Sequence, residues 1–207
     1  MNHRRSHAVR SDEAVQIVWF KRDLRVEDHE PLYRAALSGR VIPLYIVEPG
    51  LWRQPDTSGR HWAFVRECLI SLREGLSRLG QPLAVRHGEA VEVLRALCTQ
   101  HKVTGVWSHQ ETGNAWTYRR DRAVAEMLRQ GGIPWHQPRQ HGVVRGPVDR
   151  DGWSRQWEAL MRVPQFEPPA LAPVGELYPG TVPDRPTETL ADDLCPGLLY
   201  TYPSPRD

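Results

Sequence analysis

Lysine is nearly missing from this chain. Of 27 basic residues only Lys21 and Lys102 are lysines, and the remaining 25 are arginines. That imbalance suits a compositional bias of the source genome as readily as a phosphate-binding role. Neither sign of charge dominates: 27 basic and 25 acidic residues leave a formal net charge of +2, which gives this segment no electrostatic basis for tight, non-specific nucleic-acid binding. Cysteine is scarce. Cys68, Cys98 and Cys195 show neither a disulfide framework nor metal-ligand spacing, as expected for a cytoplasmic protein in a reducing compartment. No apolar run is long enough to span a bilayer, so no membrane partner is expected. The first fourteen residues are polar and lack the apolar centre of a secretory signal, so 1–14 is expected to be a disordered N-terminus. No Gly-x-Gly-x-x-Gly or Walker-type glycine loop follows any strand pattern, which excludes dinucleotide or triphosphate binding through those fingerprints.

What is present is an alternation of strand and helix patterns from Val15 to about Arg162. Val15–Phe20 (VQIVWF) is six apolar or β-favouring residues with no polar alternation, the mark of a strand buried on both faces. Val41–Val47, Pro82–Arg86, Thr104–Ser108 and Ile133–His136 read as four more strands. Between them, Asp28 is placed to cap a short helix ending before Gly39, with Pro31 in its first turn. After Thr57 and Ser58, the residues Trp62, Val65, Leu69, Leu72, Leu76 and Leu79 recur at spacings of 3, 4, 3, 4 and 3, and Gly80 stands where a helix would stop. Glu89 to about Gln100 turns Val91, Leu94, Leu97 and Cys98 inward. Thr117 to Gln130 does the same with Val124, Met127 and Leu128. Five strands interleaved with helices mean right-handed crossovers and a parallel sheet, an α/β doubly wound, Rossmann-like fold. Ten of the 18 prolines lie from Pro164 onward, where periodicity ends, so 163–197 is expected to be an irregular, extended linker.

The first strand runs into Lys21-Arg22-Asp23-Leu24-Arg25-Val26-Glu27-Asp28-His29-Glu30-Pro31-Leu32. This WF-[KR]-RDLR-x-x-D-x-x-PL pattern resembles the opening of the DNA photolyase and cryptochrome family. Val47-Glu48-Pro49 and the later Ser58-Gly59-Arg60 resemble that family's YI-x-x-P segment and helix-opening Ser-x-Arg. Glu111 and Arg120-Asp121 match its acidic residue after strand four and the Arg-Asp opening the next helix. The resemblance covers about Val15 to Arg162, so 15–162 is taken as the α/β domain. It implies strand order 3-2-1-4-5, an FAD held by a helical domain that lies outside these residues, and damaged DNA as the partner of a monomeric parent. The catalytic residues would then also lie outside this chain. The final ten residues, LLYTYPSPRD, resemble the translation LLYTSPSPRD of a transposon sequencing adapter, so 198–207 is expected not to be native.

Several residues are candidates for a site. Glu111, Asn114 and Asp56 could line the pocket of a second, light-harvesting pigment, since carboxylates and an amide match ring N–H and carbonyl groups. Asn114 and Thr117 are equally good helix-capping residues. A folate pigment is not expected, because Pro55 stands where folate-carrying members place a histidine. Arg22, Asp23 and Arg25 are either a surface turn or a docking surface for the helical domain. Asp149–Met161 reads as an amphipathic helix whose Trp153, Trp157, Leu160 and Met161 pack either on this sheet or on the helical domain; its Arg-Asp-Gly-Trp departs from the Phe-Thr-Pro-Phe of many photolyases. His109-Gln110-Glu111 has the His-x-Glu of zinc deaminases, but no Pro-Cys-x-x-Cys follows, and no metal is expected. Three functions fit: the antenna and scaffold domain of a light-driven repair enzyme for pyrimidine dimers, the same domain of a blue-light photoreceptor, and a stand-alone adenine-nucleotide-binding module.

Overall fold

A computed structural model describes residues 14–143 and 150–187. The expectations for the N-terminal stretch before Ala14 and for the final ten residues lie outside these. The chain runs β1 (Val15–Phe20), α1 (Glu30–Ser38), β2 (Arg40–Val47), α2 (Pro49–Trp52), α3 (Gly59–Leu79), β3 (Ala84–His87), α4 (Ala90–His101), β4 (Val103–Trp107), α5 (Ala115–Gln130), β5 (Trp135–His136) and α6 (Arg150–Met161). The five strands form one sheet in the order β3-β2-β1-β4-β5, all pairs parallel. This is the expected doubly wound topology.

The central strand explains why periodicity in β1 is invisible. Ile17 and Trp19 enter the core on one face, with Leu94 and Leu97 of α4 and Val124 and Leu128 of α5. Val18 and Phe20 enter the other, with Leu32 of α1 and Leu69, Leu72 and Leu76 of α3. A strand covered on both faces has no solvent side to mark with polar residues.

Two local expectations change. His29, not Asp28, caps α1: its side chain accepts the Leu32 N–H at 3.1 Å. Asp28 instead adopts φ 47° and exchanges bonds with a distant segment, its N–H donating to the Phe166 carbonyl at 2.9 Å. Over its described part, residues 163–187, the Pro-rich segment has the irregular backbone expected of it, yet it is packed; its remainder lies outside the described residues. Leu171 N donates to Leu79 O and Val85 N to Pro179 O, each at 2.7 Å, and Leu171 and Val174 are buried. Residues 166–186 thus run as a strap around the β3 edge, using its free N–H, which leaves less exposed edge for stray pairing.

Candidate functional site

In this strand order the connections leave β1 toward β2 on one side and return at β4 on the other, so the topological switch lies between β1 and β4. Crevices outside the carboxyl ends of the strands at such a point are where open α/β sheets bind ligands. Here ionic residues stand beyond three neighbouring strands, directly after β1 and β2 and four residues past β4. Lys21 follows β1, Glu48 follows β2, and Glu111 lies just past β4. Arg120 and Asp121 reach the same place from the first turns of α5. Arg120 donates to Glu48 Oε2 at 2.6 Å, to Asp121 Oδ1 at 2.9 Å, and to Glu111 Oε2. Lys21 Nζ stands 3.5 Å from Asp121 and 3.6 Å from Glu111. All five side chains are nearly inaccessible. Trp19 lies beneath both cations, its ring 5.1 Å from Lys21 Nζ and 4.8 Å from the Arg120 guanidinium, adding cation–π attraction.

Three carboxylates face two cations in this cluster, and burial sets the outcome. Loss of solvent pushes the Glu48 carboxyl up to about 7, against the attraction of Arg120, and Glu48 Oε1 has no hydrogen-bond partner. Burial likewise lowers the Lys21 ammonium, with Asp121 and Glu111 opposing it. The cluster ties three strand ends to α5, and Arg120 is its hub.

Beside it lies a cleft of about 420 Å³ lined by Lys21, Arg22, Asp23, His109 and His141 among others. Its wall is a second polar knot. Asp23 Oδ2 meets His29 Nε2 at 2.8 Å and His109 Nδ1 at 2.6 Å, while Lys21 N donates to Oδ1 at 2.9 Å. Burial alone would raise the Asp23 carboxyl, but the bonds from His109 and His29 hold it well below its ordinary range. Burial lowers His29, outweighing the pull of Asp23. The ligand-type atoms of Asp23, His29 and His109 lie within 4.8 Å of one another, close enough to suggest a metal. The hydrogen bonds assign them otherwise. His29 Nδ1 accepts from Leu32 N, so the ring proton sits on Nε2 and is donated to Asp23; a metal there would need that proton gone.

The expected site residues separate. Asn114 Oδ1 accepts from Thr117 N at 3.0 Å, capping α5, and Asn114 Nδ2 donates to both Asp56 oxygens at 3.0 and 3.1 Å. Asp56 and Asn114 are therefore partners, but Glu111 belongs to the ion cluster. Trp116 lies so near Gly50 that a Cβ there would be 2.8 Å from its ring. A pigment ring at this place would have to displace the exposed Asn114–Asp56 hydrogen bonds. Among the turn residues expected to dock, Arg22 faces solvent, its side chain 61 % exposed beside Glu111. Asp23 is buried by its histidines, a correction to its place on a docking surface. Arg25 folds back to the Glu27 and Asp28 carbonyls at 3.1 and 2.8 Å, shaping the turn. Trp153 and Trp157 do not pack on the sheet: each is 43 % exposed, and they stack with ring centroids 6.3 Å apart. Lys21 stands in the charged run after the first strand and His109 in the rejected His-x-Glu pair, but the sequence gives neither its role here, and it does not mark Glu48 or His29 as site residues. The position directly after a buried strand would have found Lys21 and Glu48; nothing in sequence marks the two histidines as partners.

A family model described as DNA photolyase matches residues 16–150. A cryptochrome DASH, chloroplastic/mitochondrial, of Arabidopsis thaliana is 34% identical over 114 residues, covering 52% of this chain and 20% of that protein. A deoxyribodipyrimidine photo-lyase of Salmonella typhimurium is 34% identical over 119 residues, covering 54% of this chain and 25% of its own length. Among solved structures, a bacterial class III photolyase from Agrobacterium tumefaciens superposes with TM-score 0.67 at 23% identity, over 86% of this chain and 39% of that one. The chain thus spans a fifth to a quarter of these two curated relatives. With the family model matched over more than half of its length, and the sheet order and the ionic strand ends in place, the chain belongs to the DNA photolyase family as an N-terminal α/β domain.

Proposed function

We propose that this domain is the scaffold of a flavoprotein that uses light to reverse pyrimidine dimers in DNA, with FAD held by a helical domain that follows it. One observation carries the reading: the strand ends where an α/β enzyme would place its chemistry are here bonded to each other, through Arg120 to Glu48, Glu111 and Asp121. Charges paired to one another in this way hold a shape, and on this reading the chemistry belongs to another part of the protein. Arg22 at the rim and the stacked Trp153–Trp157 pair are the surfaces offered to the helical domain, because they combine exposure with charge or large apolar area. Flavin supplies the electron that splits the dimer once light is absorbed; this chain's part is to orient and support the domain that binds it. The protein is proposed to act as a monomer in the cytoplasm. No helix among the described residues is long and apolar enough to cross a membrane.

A blue-light photoreceptor is the second reading, favoured by the cryptochrome DASH relatives. Illumination separates the two. The longer product of the source gene should remove cyclobutane dimers from an oligonucleotide under blue light and not in the dark. A flavin-loaded product that leaves dimers intact would retire the repair reading and leave the photoreceptor.

A further inference from the structure

The buried ion cluster holds one carboxyl group more than its cations can balance. Lys21 and Arg120 face Glu48, Glu111 and Asp121, so ionising all three acids leaves a net negative charge where water is excluded. A buried charge without a partner is costly. The surrounding groups do not cancel it. Arg22 meets Glu111 from the exposed rim, Glu89 at the start of α4 repels Glu48, and burial keeps the Tyr45 hydroxyl neutral. Of the three acids Glu48 is the least held. Asp121 has Arg120 and Lys21, and Glu111 has Arg120, Lys21 and Arg22. Glu48 Oε2 has Arg120, while Oε1 is buried with no hydrogen-bond partner among the described residues. Burial outweighs Arg120 and raises the Glu48 carboxyl to about 7, so the surplus proton resides there.

The backbone at Glu48 is suited to move. Glu48 opens α2, a turn of four residues that its side chain does not cap. The Leu51 and Trp52 N–H groups donate to the Glu48 carbonyl at 3.0 and 3.2 Å, and the Arg53 N–H donates to the Pro49 carbonyl at 3.2 Å. Trp52 Nε1, at the other end of the turn, is a second buried polar atom without a partner. Residues 53–58 beyond it are half-buried or exposed. So short a turn, with unmet polar atoms at both ends, opens more readily than the sheet or α5. We propose that ionisation of Glu48 opens the α2 turn and brings its carboxylate into water, so that the carboxyl end of β2 is shut in mild acid and loosened from neutrality upward. The device acts within this domain, whether or not a flavin domain follows it.

The test is amide hydrogen exchange of the full chain between pH 5 and 8, corrected for the intrinsic exchange rate and read at Leu51, Trp52 and Arg53. An acid at about 7 in the closed turn and 4.5 in the open one makes the opening constant climb between those values and level off above them. The three amides should lose at least about tenfold in protection between pH 5 and 7.5, with little dependence on added urea. Val18 and Leu44, buried in the sheet, should stay better protected and respond to urea. Glu48→Gln mimics the protonated acid and should hold the turn closed, its protection flat with pH. Glu111→Gln, which leaves two carboxylates on two cations with Glu48 in place, should shrink the change. Protection at residues 51–53 that is flat with pH in the parent, or that keeps its full slope in either variant, would overturn the proposal. Exchange of these amides with the protection and urea dependence of Val18 and Leu44 would also overturn it, because Glu48 would then reach water only when the whole domain unfolds.

Discussion

Glu48 and Asp23 hold opposite electrostatic positions a few residues beyond neighbouring strands, and they respond to pH in opposite senses. The Glu48 carboxyl rises from 4.5 to about 7 in the folded protein, so the folded state holds this proton more tightly than the unfolded chain. Its contribution to stability is fully present below about pH 4.5 and is lost as pH climbs through 7. Glu48→Gln, which leaves two carboxylates facing two cations, should flatten that loss. Between pH 5 and 8 the difference in unfolding free energy between the variant and the parent should shift by about 2–3 kcal/mol in favour of the variant, measured by urea denaturation. A pH-independent difference would remove the buried acid from the account. Asp23 has a lowered pKa, so its contribution is present above the ordinary carboxylate range and is lost as pH falls through the folded value. Asp23→Asn, in either amide orientation, turns an NH2 donor toward an N–H group, that of Lys21 or those of His29 and His109. It should destabilise the protein by about 2–4 kcal/mol at neutral pH, read as a lower urea midpoint with an unchanged slope.

At the scale of elements, sequence and structure agree where burial has a period. The α3 stripe was legible because a long helix with one wet face must space its apolar residues by three and four. It ends as expected at Gly80, which adopts φ 116° and donates its N–H to Leu76 and Ser77. Asp28 reads as the cap of α1, but it adopts φ 47° and accepts from Phe166 N, a contact that spans 138 residues and leaves no local trace, while His29 supplies the cap. The strap was read as a linker for the same reason, since prolines erase periodicity without preventing packing. Gly80 tests this joint directly. A Cβ there would strike the Leu171 carbonyl on a backbone with positive φ, so Gly80→Ala should cost about 2–4 kcal/mol. The loss should come with faster amide exchange at Leu171 and Val85. A variant as stable as the parent would show that the strap is not part of the folded unit.

Across the whole molecule, the fold was the most legible layer and the site the least. Five strand patterns and the charged turn after the first point to a doubly wound sheet, and the strand order β3-β2-β1-β4-β5 is the one the resemblance implies. The ion cluster was hidden because its members come from β1, β2, β4 and α5, which only the topology unites. The exposed Trp153–Trp157 pair and the rim arginine are the surfaces that the proposed function gives to a flavin-binding domain. That is the central claim, and the absorption spectrum of the purified longer gene product tests it most directly. The account predicts stoichiometric, tightly held flavin that survives gel filtration and dialysis; a folded, longer product that carries no flavin, and takes up none when FAD is added, would contradict it.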